Sequence, residues 1–308
     1  MKRFCLCVLG IMLFSPLVMA QQKKLESILP SSVLVLAKSP RINTFVSSFN
    51  FVVQKVLSEQ QKNELLKEVD GFKLKTGVDL LNLDSLKNAG VDTDRDVGFA
   101  YFSAVNNKDM MLFILPVYDE KAFPQKFIDL VIKANKDKKD PDVYPMITQY
   151  KYNKIYQVRR DVFITGIGGF FVVASVGDLV KEVIDVHDGT KKSLLSDSRY
   201  AEFLQRNTGD QVVTIYATGT FIGDQVLSGG KKGDPARQAV PLNVVNYGTV
   251  GVALDSGKIK ISVSADLNAT QQYVDIAFQL LQSGMAGRAL NPGDFFRVCL
   301  SVFECEGH

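Results

Sequence analysis

The sequence predicts an α+β fold, with antiparallel sheets covered by helices. Near-continuous apolar runs such as MMLFILPV from Met110 and FFVVAS from Phe170 are typical of strands buried on both faces. Between such runs lie segments with apolar residues at a spacing of three to four, as at Phe123, Phe127 and Leu130. That spacing is the period of an amphipathic helix packed on a sheet.

The composition is that of an ordinary folded protein. The 308 residues are 46% hydrophobic and 22% charged, and this length predicts about two domains. The net charge of +3 falls to +1 when Lys2 and Arg3 are removed with a signal peptide, leaving 34 basic and 33 acidic side chains. Such a balance favours neither a nucleic acid nor an anionic membrane surface as partner.

Residues 1–20 have the pattern of a signal peptide. Two basic residues precede the apolar run CLCVLGIMLF, and small or modest side chains lead to a cleavage site between Ala20 and Gln21. A membrane anchor is the alternative, but a spanning helix needs about 20 apolar residues. Pro16 and the polar QQKK that follows Ala20 leave too few. We therefore expect export to the bacterial periplasm or cell envelope, and a mature chain without a transmembrane segment.

Cysteine usage fits export. Cys5 and Cys7 lie in the signal peptide, so the mature chain keeps only Cys299 and Cys305. In an oxidising compartment these two form a possible disulfide. It would close a small terminal loop and is not the framework of the fold.

The chain also shows signs of an internal repeat. PSSVLVLAKSPRINTFV from Pro30 matches GDQVVTIYATGTFIGDQV from Gly209 in its turn, its apolar run and its Thr-Phe pair. Further on, VGFA (97–100) matches VGVA (250–253), and each is followed by a second strand-like run, from Met110 and Lys258. The helical segments FIDLVIKA (127–134) and YVDIAFQL (273–280) then match in the same order. We therefore predict two related units, each built as strand, helix, hairpin and helix.

The predicted units differ in length. Residues 21–190 form the first, which has an additional hairpin from KIYQVRRDVFIT to GGFFVVAS, with Gly166, Gly168 and Gly169 in its turn, and then the helix DLVKEVIDV. Residues 191–308 form the second, which opens with the helix SDSRYAEFLQRN and is shortened at its end. Asp119 and Asp266 precede the last helix shared by the two units and are candidate helix caps.

These motifs resemble a family of exported bacterial envelope proteins that is known only as a domain of unknown function. The resemblance rests on P-S-x-V-x-V after the signal peptide, TGVDLLNLDSL before DVGFA, FFVVAS before a helix, and SLLSDSRYAEFL. It extends over residues 29–285 and implies an exported protein of repeated α+β units. It implies no catalytic or ligand-binding residues. The chain departs from the pattern where the second unit ends, at MAGRALNPGDFFRVCLSVFECEGH.

Asp92, Asp94 and Asp96 have the alternating spacing with which calcium loops begin. The rest of that template fails, since glycine is the seventh residue rather than the sixth and Ser103 replaces the glutamate at position twelve. The second predicted unit has no carboxylates at the matching positions. We interpret this segment as a solvated turn and predict no metal site there.

The catalytic candidates are also better explained by structural roles. His187 follows a helix, where a cation favours the helix C-terminus, and His308 is terminal. The sequence contains no G-x-S-x-G elbow. ITGIGGFF is typical of a hairpin turn, and SGGKKGD lacks the Ser or Thr that follows the lysine of a phosphate loop. Paired carboxylates for glycoside cleavage remain open at this point. The sequence therefore predicts no catalytic, cofactor-binding or metal-binding residues.

The resulting functional prediction is a non-enzymatic exported envelope protein that acts by binding or assembly. One alternative is a carrier of an apolar ligand such as lipid, because 20 Phe and no Trp give an apolar interior. A second alternative is a hydrolase of envelope material. We expect an envelope protein partner to dock on the second unit, where the shortened tail 284–308 leaves apolar surface under-covered.

Overall fold

The computed structural model describes residues 23–105, 108–134, 146–206, 211–223, 245–255 and 258–267. Its strands are β1 Val35–Ser39, β2 Val97–Val105, β3 Lys108–Pro116, β4 Met146–Tyr150, β5 Asn153–Arg159, β6 Val162–Ile167, β7 Phe170–Ala174, β8 Val213–Thr218, β9 Val245–Asp255 and β10 Lys258–Leu267. Its helices are α1 Ile42–Lys55, α2 Glu59–Thr76, α3 Leu83–Ala89, α4 Phe123–Ala134, α5 Gly177–His187 and α6 Ser198–Arg206, and residues 219–223 are also helical.

The strands form one ten-stranded sheet in the order β10-β9-β8-β1-β2-β3-β7-β6-β5-β4, and neighbouring strands are antiparallel. The predicted α+β class is confirmed. The sequence suggested more than one sheet, whereas the first strands of the two predicted units, β1 and β8, pair with each other. Pairing two edge strands removes two rows of unsatisfied backbone groups, which favours one continuous sheet.

A large apolar core covers the first face of the sheet. Leu36, Ala100 and Leu112 point into it from β1, β2 and β3, and α5 and α6 pack over them. The N-terminal segment 23–33 also crosses this face, and its Leu25, like Leu36, is fully buried. The core therefore joins residues from both sides of the predicted boundary at 190/191. The boundary itself stays a prediction.

The described residues form a second core on the opposite face, which we call the second face, under the half of the sheet that contains β5 to β7. Phe171, Ile164 and Tyr156 contribute to it from β7, β6 and β5, while α1, α3 and α4 cover them. Phe171 lies between the rings of Phe123 and Phe127, with centroids 5.0 Å from each. Strands β5 to β7 are thus buried on both faces, as their near-continuous apolar sequence predicts.

The helix ends follow local sequence signals. At the start of α4, the carboxylate of Asp119 accepts hydrogen bonds of 3.0 Å from the backbone N–H groups of Lys121 and Ala122, which confirms it as a cap. Asp266 instead lies within β10 and accepts hydrogen bonds from Arg206 and Asn246. The helix that it was expected to cap, at 273–280, lies outside the described residues.

The additional hairpin of the first unit is larger than predicted. KIYQVRRDVFIT was expected to be one strand, but the chain reverses at Arg160 and Asp161 to form β5 and β6, and β4 precedes them. The charged run RRD interrupts the apolar pattern and supplies the turn. The signal peptide with Ala20 and Gln21, the pair Cys299 and Cys305, His308 and the tail 284–308 also lie outside the described residues.

Candidate functional site

The three aspartates that resemble a calcium loop take different partners. Asp92 and Thr93 are buried, so the prediction of a solvated turn is wrong here, and Asp92 accepts a 3.3 Å hydrogen bond from the backbone N–H of Asp94. The carboxylate of Asp94 accepts a 2.8 Å hydrogen bond from the side chain of Asn43. Burial raises the pKa of Asp96, while the charge of Lys38 opposes that shift. Among the described residues, no group of three or more potential metal ligands converges on one point.

His187 lies at the C-terminus of α5, as the sequence suggests. Its Nε2 is 3.0 Å from the Lys23 Nζ, and its ring contacts the turn at Gly168. Burial and then the positive charge of Lys23 lower the pKa of His187, so the neutral form is favoured rather than the cation that the sequence suggested. The ring therefore helps hold the N-terminal segment against the sheet.

The glycines of the predicted hairpin turn are required by their neighbours. Gly168 and Gly169 form the β6–β7 turn with φ of +64° and +82°, which glycine adopts without strain. Arg95 donates a 3.0 Å hydrogen bond to the carbonyl of Gly169, and its guanidinium lies 4.2 Å from the ring centroid of Phe170. Gly166 lies within β6, where a Cβ atom would be 1.6 Å from the carbonyl oxygen of Glu120. The antiparallel pairing of β6 with β7 confirms the hairpin interpretation of ITGIGGFF, but the prediction that Gly166 lies in its turn is wrong.

A buried ion pair that the sequence analysis missed ties the N-terminal segment to the sheet. Glu26 is only 1% exposed, forms an ion pair with Lys38 of β1, and accepts a 3.0 Å hydrogen bond from the Tyr200 hydroxyl. Burial raises the pKa of Glu26, but the charge and hydrogen bond of Lys38 outweigh it and hold that pKa below its ordinary value. The only available signal was a glutamate within the apolar run LESIL.

Tyr200 also begins an aromatic cluster on the first face. Its ring centroid lies 5.0 Å from that of Tyr216 and 5.2 Å from that of Phe203, and Tyr247 lies 5.8 Å from Tyr216. Burial raises the pKa of Tyr216 to about 12, and its buried hydroxyl has no hydrogen-bond partner. The cluster fills the space between α6 and strands β8 and β9, so it is a packing element.

A depression of about 490 Å³ lies between the end of α2 and α3. Its polar side chains bond to one another: Lys73 pairs with Asp79 at 2.8 Å, and the Ser85 hydroxyl accepts a 2.8 Å hydrogen bond from the Asp79 backbone. Asn82 caps α3 through the Ser85 N–H. These mutual contacts account for the polar residues of the depression without a ligand.

The most distinctive surface is the second face of the sheet at its β10 end. We call it the open apolar face. Strand alternation and the pairing register place eight aliphatic side chains on it, in three adjacent strands. They are Val213 and Ile215 of β8, Val250, Val252 and Leu254 of β9, and Ile259, Ile261 and Val263 of β10.

The open apolar face is most accessible to solvent along β10. On β10, Ile259, Ile261 and Val263 are 41%, 65% and 42% exposed, and their neighbours on β8 and β9 are half-buried. Residues 219–223 cover part of the same face, with Phe221 packed against Tyr101 at a centroid distance of 5.7 Å. A contiguous exposed apolar patch on a folded protein marks a site of interaction.

Neither a protein-family model nor a curated protein sequence matches the chain. Among solved structures, it is similar to TP0453 in crystal form I, with 9% identity and a TM-score of 0.44 over 85% of this chain and 86% of that one. Crystal form IV of TP0453 gives 12% identity and a TM-score of 0.42 over 85% and 87% of the two chains. A likeness at this level carries no argument about the function of this chain.

No helix in the described part of the chain is both long and apolar enough to cross a membrane.

Proposed function

We propose that this chain is a non-enzymatic, exported binding protein of the bacterial envelope, and that a partner protein docks on its open apolar face. The supporting observation is the row of Ile259, Ile261 and Val263. On the other side of β10, Lys260, Ser262 and Ser264 alternate with them and are also exposed. Such alternation is typical of a strand with one face meant for burial. The export part of the proposal rests on residues 1–20.

The physical reason for docking is the apolar area left in contact with water. Burial of such area stabilises by about 25 cal/mol per Å². Three exposed β-branched side chains, bordered by five half-buried aliphatic ones, offer a partner one continuous apolar contact. This position also agrees with the expectation that docking falls on the second unit, although the face lies on β8 to β10 rather than on the tail.

The alternatives gain less support from the described residues. A lipid carrier needs space between its layers, whereas Leu36, Leu112 and Val180 of the first core are fully buried in contact with their neighbours. A hydrolase needs a general base, and the ring of His187 lies against Lys23 and Gly168.

We also propose that the two units arose by duplication. In support, the order β3-β2-β1 on one side of the β1–β8 pair mirrors β10-β9-β8 on the other. VGFA lies in β2 and VGVA lies in β9, the corresponding strand.

The pairing register supports the same relation. Ala37 pairs with Phe99, and Val213 pairs with Val252. Val213 lies 176 residues after Ala37, which is the spacing between the two Thr-Phe matches. Val252 lies 153 residues after Phe99, which is the spacing between VGFA and VGVA. The match that begins at Pro30 and Gly209 has a spacing of 179 residues, so it fits this strand pairing only if one of the two segments is shifted by three residues.

A photo-crosslinking amino acid at position 261 tests the docking proposal. Cells carrying this variant are irradiated, and mass spectrometry of proteins and lipids identifies the adducts. The matched control places the same group at position 262, on the opposite side of β10. We expect a defined protein adduct from position 261 that position 262 does not give. A lipid adduct would favour the carrier, and a crosslink within the same chain would show that the face is an internal packing surface. Either result would overturn the proposal.

A further inference from the structure

We infer that the free edge of β4 binds an extended acidic segment of a partner protein, which adds to the sheet as a further strand. This site lies at the opposite end of the sheet from the open apolar face. It uses backbone hydrogen bonds rather than apolar side chains, so it goes beyond the proposed function.

The edge of β4 offers unpaired backbone groups. It is the last strand of the described sheet and pairs only with β5. Tyr150 and Asn153 pair across a two-residue loop, so they form the hydrogen-bonded pair that closes the hairpin. Because hydrogen bonding alternates along an antiparallel strand, the N–H and C=O groups of Ile147 and Gln149 point away from β5. These groups are the template for an added strand.

β4 lacks the features with which proteins usually block an edge. Its sequence MITQY has no charge and no proline, and its pairing with β5 has no bulge. Met146 and Ile147 are 61% and 58% exposed and lie on opposite faces of the strand. The other edge strand of the described sheet, β10, has the sequence KIKISVSADL, in which Lys258 and Lys260 disfavour pairing with a further strand.

The hairpin is held in place by charged contacts at its tip. The ammonium group of Lys151 pairs with Asp185 at 2.6 Å and with Asp188, and donates a 3.1 Å hydrogen bond to the Thr190 hydroxyl. The Tyr150 hydroxyl donates a 3.0 Å hydrogen bond to Asp185. Lys151 has a φ of +52°, which is uncommon outside glycine and is maintained here by its contacts.

This fixed tip presents the neighbouring residue, Tyr152, to solvent at 99% exposure. Tyrosine is enriched at protein interfaces because its ring supplies much contact area at a low entropy cost. A preorganised edge also lowers the cost of ordering when a partner binds. The tip therefore provides an aromatic contact at the end of the open strand.

The charge of the hairpin selects the occupant. Residues 146–160 carry Lys151, Lys154, Arg159 and Arg160 and no carboxylate, and Asp161 follows in the β5–β6 turn. The charge of Lys151 is balanced by the carboxylates of α5. The remaining three basic side chains would oppose each other if two copies paired through β4. They favour an acidic strand instead, since complementary charge fixes partner choice.

Two blocked synthetic peptides, EVTVEVTVE and KVTVKVTVK, provide the test. Binding is measured by fluorescence polarisation on the mature protein, and amide hydrogen exchange locates the site. We expect the glutamate peptide to bind at least about tenfold more tightly than the lysine peptide, which corresponds to about 1.4 kcal/mol. It should protect the amides of Ile147 and Gln149. Equal binding of the peptides, binding of neither, or protection elsewhere would overturn the inference.

Two sets of variants complete the experiment. Gln149→Pro removes an outward N–H and should abolish binding of the glutamate peptide, whereas Gln149→Ala should retain it. In case the proline variant does not fold, Lys154→Glu combined with Arg160→Glu keeps the backbone and should reverse the peptide preference. An unchanged preference in that variant would contradict the charge argument. A wild-type dimer that Gln149→Ala retains and Gln149→Pro loses would show that a second copy occupies the edge, against the inference.

Discussion

The two ends of the sheet expose different parts of the chain. At the β4 end, α5 covers one face of strands β5 to β7 and α4 covers the other, whereas β4 exposes side chains on both faces beside its unpaired backbone edge. At the β10 end, α6 packs on the first face over β8 and β9 while β10 is exposed there, and the opposite face presents aliphatic side chains to solvent. One end therefore offers mainly a backbone edge, and the other offers a continuous apolar face.

This difference shows how the same strand chemistry takes on two roles. Ile164 of β6 and Ile261 of β10 both lie on the second face of the sheet, yet the first is fully buried and the second is 65% exposed. What separates them is the cover, because α4 packs across β6. An apolar side chain in a strand contributes to stability only when another layer excludes water from it.

The largest expected effect contrasts a core residue with one on the open apolar face. Phe171→Ala should destabilise the protein by about 3 to 5 kcal/mol, because it leaves a cavity between two packed rings. Ile261→Ala should change the free energy of unfolding by no more than about 0.5 kcal/mol, as expected for a surface substitution. Denaturant unfolding of both variants measures the difference. A cost for Ile261→Ala close to that for Phe171→Ala would break the comparison, since it would mean that the face is covered.

Much of this fold was predictable because its signals are local. Apolar periodicity indicates α4 and α5, the capping residue Asp119 marks one helix start, and the glycines mark the β6–β7 turn. Strand pairing is not local. The β1–β8 contact joins residues about 180 positions apart, one from each predicted unit, and no pattern within either strand specifies it.

The candidate sites were predictable only in part for the same reason. The sequence predicts docking on the second unit through the tail 284–308, which lies outside the described residues and leaves that prediction untested, whereas the exposure of Ile261 depends on which elements pack on β10. Glu26 and Tyr200 are 174 positions apart, and Lys151 and Asp188 are 37 apart. Each of these pairs is created by the packing of separate elements, so a single sequence carries little trace of it.

The next effect concerns the buried Glu26, which lies between the two ends of the sheet, pairs with Lys38 of β1 and accepts a hydrogen bond from Tyr200. Lys38→Met should cost about 3 to 5 kcal/mol at neutral pH, because a buried carboxylate loses its counter-charge. Lys38→Arg keeps the charge and serves as the control. Urea unfolding measures both. A cost below about 1 kcal/mol for Lys38→Met would mean that Glu26 is solvated.

Lys38→Met should also reverse the sign of the pH dependence that Glu26 contributes to the free energy of unfolding. In the wild-type protein the pKa of Glu26 lies below its ordinary value of 4.5, so the stability contributed by Glu26 is present above that pH and is lost as the pH falls through the folded-state pKa. In Lys38→Met, burial then dominates and raises that pKa. The variant should therefore gain stability on acidification, down to the unfolded-state pKa. Unfolding curves collected from pH 7 to pH 4 distinguish the two slopes.

The smallest expected effect concerns the hairpin tip at the β4 end. Hydrogen bonds from Lys151 and then from Thr190 lower the pKa of Asp188 to about 2. The contribution of Asp188 is therefore present above its ordinary pKa of 3.8 and is lost as the pH falls through about 2. Lys151→Met should return the pKa of Asp188 toward 3.8 and speed amide exchange at Tyr150 and Asn153, the hydrogen-bonded pair that closes the hairpin. The melting temperature should barely change, because exposed ion pairs contribute little to global stability.

Carbon-detected NMR titration of the carboxylates and hydrogen exchange measure both parts of this prediction. Lys181→Met is the matched control, because it removes a lysine whose partner, Asp178, lies on the same helix. In that variant the Asp188 titration and the exchange at Tyr150 and Asn153 should stay as in the wild-type protein. Fast exchange at the tip of the wild-type protein would mean that Lys151 does not fix the hairpin. The edge of β4 would then not be preorganised, and the contrast between a rigid strand edge at one end of the sheet and the open apolar face at the other would not hold.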